Sequence, residues 1–213
     1  NIDNSLMFGG NWSIQGNLAS YGSILTPGNS IGTITTNTIS PLAGNTINAE
    51  VDAAGHADLL VVQNGNVDLT GAHLVVDQYG GYRLNHDYTI IRTEAGTVVG
   101  EFETEKLGDT FAGTLVKLDP TKYGEKDVKV SLSADHSAID RTGYSSNQSA
   151  TLDGVLSVAG QNAAADAVML MQPDARKDAL NQLSGELHGS TQAALLQNSS
   201  LVTRTLTQRM RGN

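Results

Sequence analysis

Cysteine is absent from this chain. That removes disulfide staples, thiol redox chemistry and Cys-based zinc sites at once, and leaves the backbone ladder and the core to hold 213 residues together. Aromatic residues make up only 5% and charged residues 16%. No apolar run approaches the roughly 20 residues that cross a bilayer as a helix. Neither a signal peptide nor an initiating methionine is present, so the chain reads as a piece of a longer protein. Positive charge is scarce where it would matter for nucleic acid. Residues 1–135 carry 7 Lys/Arg against 16 Asp/Glu, residues 136–213 carry 6 against 6, and the net charge is −9. An acidic first part lacks the basic footprint of a nucleic-acid partner.

Glycine is plentiful, at 23 residues, amid much Asn, Ser, Thr, Ala and Val. Short turns need Gly and Asn, and stacked strands favour small or β-branched residues, so this is the composition of a repetitive extracellular β-protein. The stretch Pro27-Gly28-Asn29-Ser30-Ile31-Gly32-Thr33-Ile34-Thr35 shows the pattern: a Pro-Gly turn opening into alternating Thr and Ile. From Leu59 onward, apolar pairs recur every seven residues at Leu60/Val62, Val67/Leu69 and Leu74/Val76, with Asn64-Gly65 and Thr70-Gly71 between them. Two architectures fit. Asn-Gly between alternating runs signals hairpins and an antiparallel meander. Short strands joined by tight corners instead make a coil of a right-handed parallel β-helix, the favoured reading.

Beyond Gly80-Gly81 the apolar residues grow larger. Tyr88–Arg92, Thr97–Glu103 and Thr110–Leu118 read as strands carrying Tyr88, Phe102 and Phe111. Val128, Val130 and Leu132 alternate with Lys129 and Ser131, which predicts a half-exposed strand. Together these suit a β-hairpin cap, which a stack needs because a bare last coil leaves N–H and C=O groups unpaired. After residue 135 the pattern changes class. Asp135–Ser149 reads as a polar linker, and Leu152, Val155, Leu156 and Ala159 form a helical stripe. Ala163–Met171 is a second helix former. Pro173 opens a third helix bearing Ala179, Leu180, Leu183 and Leu187, and a fourth starts near Ser190. The expected organisation is a capped β stalk over 1–135 and an α-helical connector over 136–213.

Three stretches resemble the bacterial autotransporter, or type V secretion, family. Pro27–Thr35 is similar to its PGNSIGTLT signature. Ala57-Asp58-Leu59-Leu60-Val61-Val62, Leu69-Thr70-Gly71-Ala72-His73-Leu74-Val75-Val76 and Tyr88-Thr89-Ile90-Ile91 resemble its autochaperone region. Ala179–His188, continuing through Leu195 and Val202 to Arg209-Met210-Arg211, looks like the segment before its membrane barrel, although Gly189 stands where that family has a small residue with a side chain. No strands of a barrel follow Met210. The resemblance implies the end of a passenger's stalk at the bacterial cell surface or released from it. Its partners would be its own outer-membrane β-barrel translocator and the outer-membrane assembly machinery.

Other chemistry is weakly encoded. His56 and Asp58, with Ser13 or Ser30, have the residue types of a catalytic triad and would share a strand face, yet no Gly-x-Ser-x-Gly elbow exists. A turn histidine and a turn-capping aspartate are the plainer reading. His73, His86, His136 and His188 are scattered, without a metal-ligand spacing. Asp52, Asp58, Asp68 and Asp77 lack the calcium-binding nonapeptide and read as a solvated acidic face. Asn11, Asn147 and Asn198 match the glycosylation pattern by chance. The slender, polar last helix, ending in Arg204, Arg209 and Arg211, either threads a barrel or packs on the stalk. The expectation is a non-enzyme with no cofactor and no metal: a stalk and folding nucleus built on Tyr88, Phe102, Phe111, Val128, Val130 and Leu132. The alternative is an adhesin whose β surface binds host molecules or its own copies.

Overall fold

Glycine turns cut the first part of the chain into strands too short to stand alone, and these pair with partners a long way off in sequence. The computed structural model describes residues 7–28, 30–137 and 139–185. Its strands are β1 (Met7–Gly10), β2 (Trp12–Leu18), β3 (Ile24–Pro27), β4 (Thr33–Ile39), β5 (Thr46–Val51), β6 (Leu59–Val62), β7 (Val67–Asp68), β8 (His73–Gln78), β9 (Tyr88–Thr93), β10 (Val98–Val99), β11 (Thr104–Leu107), β12 (Val116–Leu118), β13 (Lys122–Tyr123), β14 (Asp127–Val130) and β15 (Leu132–Ala134). One sheet runs β1-β3-β5-β8-β11 and is parallel throughout. A second runs β2-β4-β6-β9 in parallel and is then extended by antiparallel β14 and β13. β7 and β10 form a small parallel pair, and β12 and β15 an antiparallel one.

The fold is therefore mainly β with parallel sheets, and the meander is excluded. Asn64-Gly65 joins β6 to β7, but β6 pairs with β4 and β9 while β7 pairs with β10. In the first sheet Met7, Ile24, Thr46, His73 and Thr104 stand in one register column, spaced 17, 22, 27 and 31 residues apart. Each circuit is longer than the last. Much of the growth enters at one corner, where the first sheet hands over to the second: one residue between β1 and β2, five between β3 and β4, seven between β5 and β6, and nine between β8 and β9.

Side chains inside the circuits align in columns. Ile34, Leu60, Ile91 and Val128 are in register and all buried. Leu25, Ile47 and Leu74 do the same in the first sheet. Branched aliphatic residues suit this, because alternate strand positions point inward and meet the same position one circuit away.

Three expected strands differ. Over Thr97–Glu103 only Val98 and Val99 are strand, so Phe102 lies in the connection to β11. Over Thr110–Leu118 the chain first makes a 3₁₀ turn, Asp109–Phe111, and Phe111 sits in it rather than on a strand. The expected half-exposed strand through Leu132 breaks at Ser131, which is buried and donates its hydroxyl to Asp119 at 3.1 Å. A hydroxyl with its own carboxylate acceptor can enter the core where a free one could not.

α1 (Ser146–Ser157) starts in the residues expected as linker. Ser145 and Gln148 form a reciprocal capping box, with the Gln148 amide reaching Ser145 Oγ at 3.2 Å and the Ser145 amide reaching Gln148 Oε1 at 2.7 Å. α2 (Ala163–Leu170) is capped by Asn162, and α3 covers 173–185. The stripe residues Leu152, Val155 and Leu156, with Ala165, Val168, Met169 and Leu180, belong to the same apolar cluster as the strands. The fourth helix expected from Ser190, and the family-like motif beyond residue 185, lie outside the described residues.

Candidate functional site at the widening corner and the cap

Gly28 has φ +116°, and a Cβ on it would lie 1.9 Å from the Ser30 carbonyl oxygen and 3.1 Å from Asp58 Oδ1. Only glycine lets the Pro27–Gly32 turn close this tightly. The turn is fastened from the next circuit. The Gly32 amide donates to Asp58 Oδ1 at 2.8 Å, and the Glu50 amide donates to Asp58 Oδ2 at 3.1 Å. Backbone bonds frame the carboxylate: the Leu59 amide donates to the Gly32 carbonyl at 2.9 Å, and the Asp58 amide to the Glu50 carbonyl at 2.8 Å. Asp58 has no exposed surface. Burial pushes its carboxyl up to about 7; the two amide donors oppose the shift and the nearby Glu50 charge adds to it. Glu50 is itself raised, by burial and by Asp77, which stands opposite it in register on β8.

The next layer of the corner comes from β9 and the connection before it, so Tyr88, expected in the cap, stands instead on a strand that pairs in parallel with β6. The Tyr88 hydroxyl donates to the Asp52 carbonyl at 2.8 Å and accepts the Arg83 amide at 2.7 Å. His86 Nε2 lies 3.0 Å from the Gly55 carbonyl, and its ring meets Tyr88 edge-on at 4.9 Å. The 52–58 connection is thus clamped between Gly32 below and Tyr88 above.

Of the six expected nucleus residues, Tyr88 faces Val130 and Val128 faces Ile91 across the β9–β14 ladder, and all four are buried. Leu132 pairs with Leu118, and its carbonyl accepts the Asn85 amide at 2.8 Å. Phe102 lies apart from these, 6.2 Å from Tyr123, whose hydroxyl accepts the Phe102 amide at 3.0 Å and donates to Glu105. Phe111 packs edge-on against Tyr82 at 5.9 Å, and the Tyr82 hydroxyl donates to the Asp166 carbonyl at 3.0 Å. The six residues share one apolar cluster but occupy three neighbourhoods. Tyr123 reaches both Phe102 and, across the β13–β14 ladder, Val128, while Tyr82 packs on Phe111; the sequence singled out neither tyrosine.

A third unforeseen residue is Arg176 on α3. It is 4% exposed, and one terminal guanidinium nitrogen donates to the Gly113 carbonyl at 2.7 Å and the Met171 carbonyl at 2.6 Å. Gln172 beside it donates to the Ala112 carbonyl at 2.8 Å. Met171 caps α2, so the cation sits at that helix's negative end.

The triad-like grouping does not form. His56 is exposed and bonds Asp52, Nδ1 to Oδ2 at 3.1 Å, while Asp58 turns inward. The two share no face, because β6 begins only at Leu59. Asp58 is also the exception to the solvated acidic face. Among the described residues, no group of three or more His, Cys, Asp or Glu is arranged to hold a metal ion. No protein-family model matches the chain, and no curated protein does.

Proposed function

We propose that the chain is a non-catalytic stalk and folding nucleus, the end of an autotransporter passenger. On this reading the stacked circuits are coils of a right-handed parallel β-helix, and β12–β15 are its hairpin cap. The helices lead towards an outer-membrane barrel at the bacterial cell surface. The observation that carries the reading is the column Ile34–Leu60–Ile91–Val128: two parallel steps, β4 to β6 and β6 to β9, closed at one end by antiparallel β14, while among the described residues β1 and β2 end their sheets on the other side. On this reading the body grows from the closed end towards β1 and β2. Once the capped end has folded outside the cell, each further coil gains its hydrogen bonds and burial from the one before, and export is drawn outward without ATP.

The test is made in the full-length exported protein. Phe111→Ala in the cap should slow the appearance of protease-resistant passenger at the surface. Arg92→Ala, an exposed position on β9, should not. Export of the Phe111 variant at the normal rate and with normal protease resistance overturns the reading.

Adhesion is the second reading, and the exposed aromatic side chains Trp12, Tyr21 and Tyr79 favour it. Binding of the purified chain to host cells or to itself would support it, whereas a passive stalk does neither.

A further inference from the structure

We propose that Asp58 makes the widening corner a proton-sensitive latch, which tightens the stack when the surroundings turn mildly acidic. The inference is independent of whether the chain serves export. Its basis is geometric. One carboxylate with no exposed surface joins the Pro27–Gly32 turn of one circuit to β5 and β6 of the next, through the Gly32 and Glu50 amides. The nearest ionisable neighbour is another acid, Glu50 on β5, with Asp77 next along that row on β8. The 52–58 connection adds Asp52 and His56, bonded to each other at its exposed side. The Pro27–Gly32 turn has no titratable residue. Among the described residues, no lysine or arginine bonds to the carboxylate.

A buried carboxylate facing another acid holds its proton more tightly in the folded chain than in the unfolded chain, where it titrates near 4. The folded value of about 7 sets the window. Because the folded value is the higher one, the stabilisation is fully present below about 4 and is lost as pH rises through about 7. Between these limits acid strengthens the corner, whereas paired carboxylates ordinarily weaken a fold as they protonate. The protonated carboxyl still offers oxygens to both amides, so the bonds survive while the buried charge is removed.

Two measurements on the whole chain test this. Urea unfolding midpoints should rise as pH falls from 8 to 5, and Asp58→Asn, which keeps the side chain's shape, should flatten that rise. Should the Asn variant not fold, the wild-type Asp58 carboxyl carbon can be followed by NMR. Its titration should centre near 7, and Glu50→Gln should move it to lower pH. A carboxyl that titrates near its ordinary value, or an Asn variant with the wild-type pH profile, overturns the latch.

Discussion

Val128 stands opposite Ile91 at the point where the second sheet changes from parallel to antiparallel. Ile91 is thus the last residue of the column with a parallel neighbour, and Val128 of antiparallel β14 covers its other side. Both have no exposed surface. Truncating Ile91 to Ala should therefore cost about 2–5 kcal/mol, read from urea unfolding. Arg92→Ala, one residue on and pointing outward, should stay within about 0.5 kcal/mol. Equal effects at the two positions would mean that the column does not hold the stack.

Phe102 and Phe111 are expected on strands and are instead held by a loop and a 3₁₀ turn, yet both are buried. Replacing either by Ala should cost about 3–5 kcal/mol in thermal or chemical unfolding. The neighbourhood of Phe102 offers a finer test. Tyr123→Phe keeps the ring but removes the hydroxyl that the Phe102 amide and Glu105 share. The loss should be about 1 kcal/mol, since Glu105 retains the Thr121 hydroxyl.

Close approach between circuits makes a prediction about glycine that backbone conformation does not. A Cβ on Gly96 would lie 1.8 Å from the Gly65 carbonyl oxygen, backbone of the previous circuit, whereas a Cβ on Gly16 would meet nothing within 4 Å. Gly96→Ala should approach or exceed the upper end of the about 1–3 kcal/mol range for overpacking. Gly16→Ala should be neutral or gain about 0.5 kcal/mol from its strand position. Unfolding midpoints of the two variants decide the matter.

The residues that were legible in sequence are those whose burial follows from local spacing. Leu60/Val62, Val67/Leu69 and Leu74/Val76, spaced seven apart, are all buried, and the stripe Leu152, Val155 and Leu156 is the buried side of α1. Spacing alone left parallel and antiparallel pairing open, because the choice depends on partners 17 to 31 residues away. Asp58 read as a surface turn acid for the same reason: its amide partner Gly32 is 26 positions earlier, and no local pattern announces it. Phe102 and Phe111 were right as core and wrong as strand, since alternation in a short aromatic segment does not separate a strand from a tight turn whose side chain points inward.

Arg176 is the hardest residue to foresee, and it governs how the helices attach. A charged residue on a helix ordinarily faces water, but here two carbonyls hold the guanidinium between Gly113, just after the 3₁₀ turn, and the end of α2. Arg176→Met keeps the apolar stem and removes both bonds. Bonds to charged groups contribute about 1.5–3 kcal/mol each. The avoided burial of charge offsets part of that, leaving a net loss of about 2 kcal/mol. The loss should be local, because Arg176 and Gln172 bond the start of α3 to the Ala112 and Gly113 carbonyls just after the 3₁₀ turn. Amide hydrogen exchange should therefore accelerate across 173–185 while β6 and β9 keep their protection. Uniform acceleration through the strands would show instead that the helices and the stack unfold as one unit.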